Sequence, residues 1–105
     1  MALSLTRLNH PHASLTPQTI SSDFGVLDDA LGLSLRATVI VGPDGTVRSL
    51  NINDLPVGRN VDEVLRLVQA FKFSDENPDV VCPASWTPGS KTMVPTAAGV
   101  KAFFQ

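Results

Sequence analysis

The sequence predicts an α/β protein with one β-hairpin, one long helix and an extended C-terminal tail. Three observations support this prediction: two apolar runs rich in β-branched residues flank a Gly-Pro turn, a long stretch after them has helical apolar spacing, and prolines recur beyond it. The 105 residues suit one small domain, since domains typically have about 100–150 residues.

The composition excludes several classes of protein. With a net charge of −2 and scattered lysines and arginines, the chain offers no basic patch for nucleic acid. No apolar run reaches the roughly 18 residues of a membrane span, and the start has no basic region of the kind that opens a secretory signal. One cysteine cannot form an internal disulfide. We therefore expect a cytoplasmic protein without nucleic-acid or membrane partners.

The first predicted element is a short helix in "TPQTISSDFG". Thr16 can cap its free amides, Pro17 suits its first position, and Gly25 can end it in the left-handed conformation. Residues 1–15 show little periodicity and are left unassigned.

A β-hairpin follows this helix. Its strand, turn and second strand are predicted at Leu35–Val41, Gly42–Gly45 and Thr46–Asn53. Pro43 sets one backbone angle of the turn, and Gly45 tolerates positive φ. In the second strand Leu50 and Ile52 share one face, while Val47 points to the other. This mixed pattern suits an edge strand.

The clearest predicted element is an amphipathic helix in "NVDEVLRLVQAFKF". Asn60 can cap it, and Glu63 stands in capping-box position. Its apolar face consists of Val61, Val64, Leu65, Val68 and Phe71. Prolines then prevent long regular elements until "AAGVKAFF" near the C-terminus.

Cys82 is the only cysteine and lies in "DVVCPASWTPG". A lone cysteine is more often a small buried apolar residue than a working thiol. The surrounding prolines and polar residues, where little core could form, favour instead a thiol that moves to a partner sulfur, because disulfide exchange requires near contact.

Two arginines are candidates for a fixed cation. Arg36 interrupts an apolar strand, so it either ends the strand and reaches solvent or holds a thiolate or oxyanion. Arg59 precedes the long helix, where a surface salt bridge is the default expectation. His10, His12 and Cys82 are too few and too far apart for zinc. We expect no metal or cofactor.

Three stretches resemble the C-terminal half of typical 2-Cys peroxiredoxins: "DFGVL", "LRATVIVGPDGTVRSLNINDLPVGRNVDEVLRLVQAF" and "VCPASWTPG". The resemblance runs from about Asn9 to the C-terminus, and the separation of "NDLPVGR" from "VCPxxW" is highly specific. It implies a partial thioredoxin-like domain at residues 16–73 and a C-terminal tail at residues 74–105 that carries a resolving cysteine.

The resemblance also implies an activity. The family reduces hydrogen peroxide and organic hydroperoxides with electrons from thioredoxin or a related carrier, through a sulfenic acid that the resolving cysteine of a neighbouring subunit converts into a disulfide. Cys82 matches that resolving cysteine, Arg36 the active-site arginine, and Arg59 the arginine that supports it. Thr46–Asn53 matches the strand through which family dimers pair. The implied partners are an identical or different peroxiredoxin subunit and thioredoxin.

The sequence departs from the family in several places. The peroxidatic motif, Pro-x-x-x-Thr-x-x-Cys, does not occur in it, and "MALSLTR" has no counterpart. Leu15 and Leu31 replace acidic residues, and "AFF" replaces the usual Tyr-Phe. Three interpretations stay open: an enzyme portion completed by another chain, an interaction module that docks on intact peroxiredoxin, and an inactive remnant. In none of them is the chain alone a competent peroxidase.

Overall fold

A computed structural model describes residues 17–105 of the chain. Its elements in chain order are α1 (Pro17–Asp23), β1 (Leu27–Asp28), β2 (Leu33–Ser34), β3 (Arg36–Val41), β4 (Val47–Asn53), α2 (Val61–Glu76) and α3 (Ala97–Phe103). The chain divides into two compact units, Met1–Arg59 and Asn60–Gln105. The predicted mixture of a β-hairpin, a long helix and a largely irregular C-terminal part is confirmed.

Helix α1 begins and ends where the sequence predicts. Its first residue is Pro17. Gly25 follows its end with a φ of 69° and donates its amide to the carbonyl of Ser22 at 2.9 Å. Glycine adopts this left-handed conformation at little cost because it has no Cβ. The predicted cap, Thr16, lies outside the described residues.

Among the described residues of the first unit, Val26 is the buried apolar side chain, with 4% exposure. Its amide donates to the carbonyl of Ser21 at 2.9 Å, and its carbonyl accepts from the amide of Leu35 at 2.9 Å. Strands β1 and β2 form a small antiparallel pair beside it, with Leu27 opposite Ser34. This pair was not predicted from the sequence, because strands of two residues carry no periodic signal.

Strands β3 and β4 form the predicted hairpin, but their register contains a bulge. Val39 lies opposite Leu50, whereas Val41 lies opposite Val47, with a register shift after Ile40. Between these two pairs, the sequence separation in β4, from Val47 to Leu50, is one residue longer than the separation in β3, from Val39 to Val41. Strand β4 therefore carries the extra residue of the bulge. Directly opposed residues share a face of the sheet. The bulge therefore brings Val47 to the face of Leu50, and the predicted opposite placement of Val47 was wrong.

The turn between these strands has the predicted chemistry. Gly45 has a φ of 81°, and the amide of Gly42 donates to the carbonyl of Thr46 at 2.8 Å. The carboxylate of Asp44 accepts from the amide and the hydroxyl of Thr46 at 3.0 and 2.9 Å. These hydrogen bonds hold the pKa of Asp44 below its usual value.

Helix α2 begins at the predicted cap. The side chain of Asn60 accepts a hydrogen bond from the amide of Glu63 at 3.1 Å. The side chain of Glu63 binds Arg66 instead, so only half of the predicted capping box forms. The helix continues to Glu76, past the boundary that the sequence analysis drew at residue 73. That division into 16–73 and 74–105 stays a prediction.

The apolar stripe of α2 is not a buried face of the second unit. Val61, Leu65 and Val68 are 77%, 54% and 46% exposed. An amphipathic helix buries its stripe only where another layer packs on it. Within the second unit, the side of the helix that carries Arg66, Ala70 and Phe73 contacts the loop that follows it.

Beyond α2 the chain is irregular up to Thr96, as the prolines predicted, apart from one antiparallel bridge between Val81 and Met93. Helix α3 then begins at Ala97 and is capped by Thr96, whose hydroxyl oxygen accepts from the amide of Gly99 at 3.1 Å. No helix in residues 17–105 is both long and apolar enough to cross a membrane.

We predict that Gly99→Ala destabilises the chain. A Cβ at position 99 would lie 2.8 Å from the Cβ of Val94 and closer still to its carbonyl oxygen. Helix propensity alone would favour alanine by about 1 kcal/mol, but the collision should outweigh it and cost about 1–3 kcal/mol. Urea unfolding followed by circular dichroism measures the change. Ala98→Gly serves as the propensity control, and a higher midpoint for Gly99→Ala would show that this contact is absent.

Candidate functional site

Cys82 lies in a loop whose ends are held together by backbone hydrogen bonds. The amide of Val81 donates to the carbonyl of Met93 at 2.8 Å, and the amide of Met93 donates to the carbonyl of Val81 at 3.0 Å. Cys82 follows this bridge directly. These two hydrogen bonds therefore fix the backbone position from which Cys82 enters the loop, residues 81–93.

A tight turn follows Cys82. The amide of Trp86 donates to the carbonyl of Pro83 at 3.1 Å, and Ser85 has a φ of 61°. Among the described residues it is the one non-glycine residue with positive φ. A serine in this conformation is strained by about 1–2 kcal/mol, so the rest of the loop must hold the turn in place.

One face of α2 receives this turn. Arg66, Ala70 and Phe73 follow the i, i+4, i+7 spacing of a single helix face. The guanidinium of Arg66 donates to the carbonyl of Trp86 at 3.1 Å, and the thiol of Cys82 donates to the carbonyl of Ala70 at 3.9 Å. The rings of Phe73 and Trp86 lie 4.9 Å apart at 40°. By the 3.6-residue turn this face lies roughly opposite Val61, Leu65 and Val68, the exposed part of the apolar stripe.

Trp86 anchors the loop. Its side chain is 3% exposed, and its indole N–H has no hydrogen-bond partner within the described part of the chain. The expectation that little core forms around Cys82 was wrong. Trp86, which follows Cys82 by four residues in the chain, is buried against α2. Cys82 itself is half-buried.

The thiol lies on the wall of an open cleft of about 380 Å³. The lining residues are Arg66, Leu67, Ala70, Phe71, Ser74, Val81, Cys82, Pro83, Ala84 and Ser85. The walls are mainly apolar, with a few polar groups between them. A cleft of this volume has room for a small ligand or for side chains of another protein.

Arg66 is the charged group that the sequence analysis missed. It forms two short hydrogen bonds with the carboxylate of Glu63, at 2.6 and 2.9 Å. These hydrogen bonds lower the pKa of Glu63 and raise the pKa of Arg66. The sequence does contain one signal for Arg66: its spacing with Ala70 and Phe73 places the three residues on one helix face, away from the exposed apolar residues.

Arg36 and Arg59 lie together at one end of the hairpin in the first unit. Arg36 opens β3, is exposed, and donates Nε to the carbonyl of Leu55 at 3.2 Å. Arg59 donates to the carbonyl of Ala37 at 3.4 Å. In this chain Arg36 is an exposed arginine at the end of a strand. Cys82 belongs to the other unit.

Residues 17–105 contain no group of three histidine, cysteine, aspartate or glutamate side chains placed to share a metal ion. His10 and His12 lie outside the described residues, so the expectation about zinc at these positions stays a prediction.

Comparison with known proteins supplies the family. Residues 70–105, which include the loop and α3, match the model for the C-terminal domain of 1-Cys peroxiredoxin. Peroxiredoxin TSA1 of Saccharomyces cerevisiae is 47% identical over 98 residues, which cover 93% of this chain and 50% of that protein. The chain belongs to the peroxiredoxin family. The human mitochondrial thioredoxin-dependent peroxide reductase is 50% identical over 89% of this chain and 36% of its own length.

The solved structure of Plasmodium vivax 2-Cys peroxiredoxin in its reduced state gives the matching fold. It superposes with a TM-score of 0.76 and 39% identity, covering 84% of this chain and 45% of that one. The predicted C-terminal half of a thioredoxin-like peroxiredoxin fold is thereby confirmed. The chain spans about half the length of curated relatives such as peroxiredoxin TSA1.

We predict that the strain at Ser85 can be relieved. Ser85→Gly should be at least as stable as the parent, because glycine accepts positive φ, whereas Ser85→Val should lose about 1–2 kcal/mol. Thermal unfolding followed by Trp86 fluorescence measures both changes. Ala84 is the matched control, since its φ is not positive and glycine should have no such advantage over valine there. Equal stability of Ser85→Gly and Ser85→Val would contradict the positive φ of Ser85.

We predict an acid transition that depends on Glu63. Its pKa is lowered in the folded chain by the hydrogen bonds from Arg66, so the pair stabilises the fold above the ordinary value of 4.5. That stabilisation is lost as pH falls through the lower, folded pKa. Emission from Trp86, the only tryptophan, should shift to the red over this range below pH 4.5 in the parent.

Glu63→Gln removes the titrating group, so its emission should change less over the same interval. Asp44 also has a lowered pKa, and the difference between parent and variant separates the two contributions. Identical profiles for parent and variant would rule out a role for the pair.

Proposed function

We propose that this chain supplies the resolving cysteine of a thioredoxin-dependent peroxidase of the 2-Cys type. The observation that carries the proposal is the position of the Cys82 sulfur. It is half-buried on the wall of an open cleft and is held there by one long hydrogen bond of 3.9 Å. A thiol in this position is protected but can leave, which disulfide formation with another chain requires.

The proposed reaction joins Cys82 to a sulfenic acid. A peroxidatic cysteine on another subunit first reduces the peroxide and becomes Cys–SOH. The thiolate of Cys82 attacks that sulfur, an S–S bond forms, and the S–O bond breaks. The oxygen leaves as hydroxide and takes up a proton to become water. The dithiol of thioredoxin then reduces the disulfide by two exchange steps and is itself oxidised.

Arg36 and Arg59 are proposed as the cations of the peroxidatic pocket. Each is oriented by a hydrogen bond to a backbone carbonyl, and a guanidinium has five N–H donors in all. The remaining donors can serve a thiolate and a peroxide oxygen, whose negative charge they stabilise. Their placement at the same end of the hairpin supports a shared role.

The proposed partner is a peroxiredoxin subunit, identical or different, that pairs along β4. Within residues 17–105 this strand pairs only with β3, so its second edge is open to another strand. The cytoplasm stays the predicted compartment, although relatives carry mitochondrial and chloroplastic names.

A second candidate function is that of an interaction module without turnover. The exposed apolar stripe of α2, Val61, Leu65 and Val68, favours it, because such a stripe gains stability when a partner covers it. Both functions use Cys82, and they differ in whether the disulfide is part of a catalytic cycle.

A mixed-disulfide assay tests the proposal. The chain is mixed with intact yeast peroxiredoxin TSA1 whose own resolving cysteine is replaced by serine, and limited hydrogen peroxide is added. We expect a reducible heterodimer on a non-reducing gel, because Cys82 is then the resolving thiol. Cys82→Ser should abolish the band, whereas Arg36→Ala should leave it, since the partner supplies its own pocket.

Reduction by thioredoxin separates the two candidate functions. If thioredoxin, its reductase and NADPH dissolve the heterodimer and peroxide consumption resumes, the catalytic role stands. A band that thioredoxin cannot reduce supports the interaction module. The chain by itself should consume no more peroxide than Cys82→Ser. A heterodimer that persists without Cys82, or its absence while TSA1 with both cysteines cross-links normally, would overturn the proposal.

A further inference from the structure

We propose that Arg66 is a positioning residue for Cys82, fixing the turn that carries the thiol against α2 and thereby setting how readily the sulfur leaves the cleft. The proposal deepens the function above and rests on Cys82 being the resolving thiol. It concerns a side chain that neither the sequence motifs nor the resemblance singled out.

The guanidinium of Arg66 is held from the helix side. Its Nε and Nη2 donate to the two carboxylate oxygens of Glu63 at 2.6 and 2.9 Å. The amide of Glu63 is in turn bound by the cap, Asn60. This fork geometry fixes the plane of the guanidinium as well as its position, so the remaining Nη1 points in a defined direction.

That direction leads to the loop. Nη1 donates to the carbonyl of Trp86 at 3.1 Å, and Trp86 closes the turn by donating its amide to Pro83. Cys82 directly precedes this turn. Arg66 therefore joins the first part of α2 to the segment Cys82–Trp86, which we call the thiol turn.

The thiol does not hold itself in place. Its contact with the carbonyl of Ala70 is 3.9 Å long, and sulfur is a weak donor. Two contacts on Trp86 restrain the thiol turn more strongly: the ring packing on Phe73 at 4.9 Å and the charge-assisted hydrogen bond from Arg66. Packing restrains the ring, whereas Arg66 restrains the backbone that connects to the sulfur.

In the proposed reaction, this restraint controls how readily the Cys82 sulfur reaches the partner. To form a disulfide, Cys82 must bring its Cβ to about 4 Å from the partner Cβ, and a sulfur on the cleft wall must first move out. The thiol turn opens locally with a free energy below that of global unfolding. Loss of the Arg66 hydrogen bond should favour the open form.

Alkylation of Cys82 by iodoacetamide, followed by mass spectrometry, measures this opening without any partner or peroxide. The rate under native conditions is divided by the rate in denaturant, which corrects for the intrinsic reactivity of each variant. Arg66→Met should react about 3- to 10-fold faster than the parent, as expected for losing one hydrogen bond of ordinary strength at a partly exposed side chain. Lys72→Met, which removes an exposed cation from the same helix, is the matched control and should react at the parent rate.

A variant in which Glu63 and Arg66 are exchanged tests whether Arg66 positions Cys82 or only stabilises the helix. The double variant Glu63→Arg/Arg66→Glu restores an ion pair at the same spacing, but a carboxylate at position 66 cannot donate to the carbonyl of Trp86. We expect it to react as fast as Arg66→Met. Recovery of the parent rate by the exchanged pair, or a parent rate in Arg66→Met, would overturn the proposal.

Should Arg66→Met fail to fold by circular dichroism, Arg66→Lys gives the same comparison with the charge retained. A lysine has one ammonium in place of the fork and cannot bind Glu63 and Trp86 in the same geometry, so faster alkylation supports the proposal and an unchanged rate contradicts it. Failure of the mixed-disulfide assay with a normal alkylation pattern would reject the resolving role and leave the positioning of Cys82 by Arg66 intact.

Discussion

The packing of Trp86 on Phe73 is the contact on which the second unit depends. It buries the largest side chain of a loop that has no regular secondary structure, and burying an aromatic side chain contributes roughly 2–3 kcal/mol. Its loss would leave the hydrogen bond from Arg66 and the weak thiol hydrogen bond of Cys82 to hold the loop beside the apolar residues of the cleft. The location of Cys82, and with it the cleft, follows from this one apolar anchor.

Helix α2 serves two purposes because its two sides differ. One side carries Arg66, Ala70 and Phe73 and holds the thiol turn. The other carries the exposed apolar stripe that includes Leu65 and Val68. In the solved 2-Cys peroxiredoxin the matching residues are part of a chain about twice as long. The exposed stripe is consistent with a surface that another part of a peroxiredoxin fold covers, while the thiol turn is complete within residues 60–105.

The hairpin shows how small local features can position functional groups. The bulge in β4 restores a common apolar face for Val47 and Leu50 and increases the local twist. At the opposite end of the hairpin, backbone carbonyls orient Arg36 and Arg59. Both guanidinium groups are thus oriented by main-chain atoms: the carbonyl of Ala37 lies in β3 itself, and that of Leu55 lies two residues beyond the end of β4.

The sequence by itself determined the features that depend on residues a few positions apart. The turn at Gly45 and the cap at Asn60 were predictable because their hydrogen bonds join groups within about four residues. The family followed from motifs, which also predict that Cys82 is the resolving cysteine. Only the tertiary structure decided that Arg66 reaches the carbonyl of Trp86, 20 residues away, and that α2 binds the loop with the face opposite the exposed part of its apolar stripe. Such contacts depend on how the loop closes against the helix, and no local pattern encodes that closure.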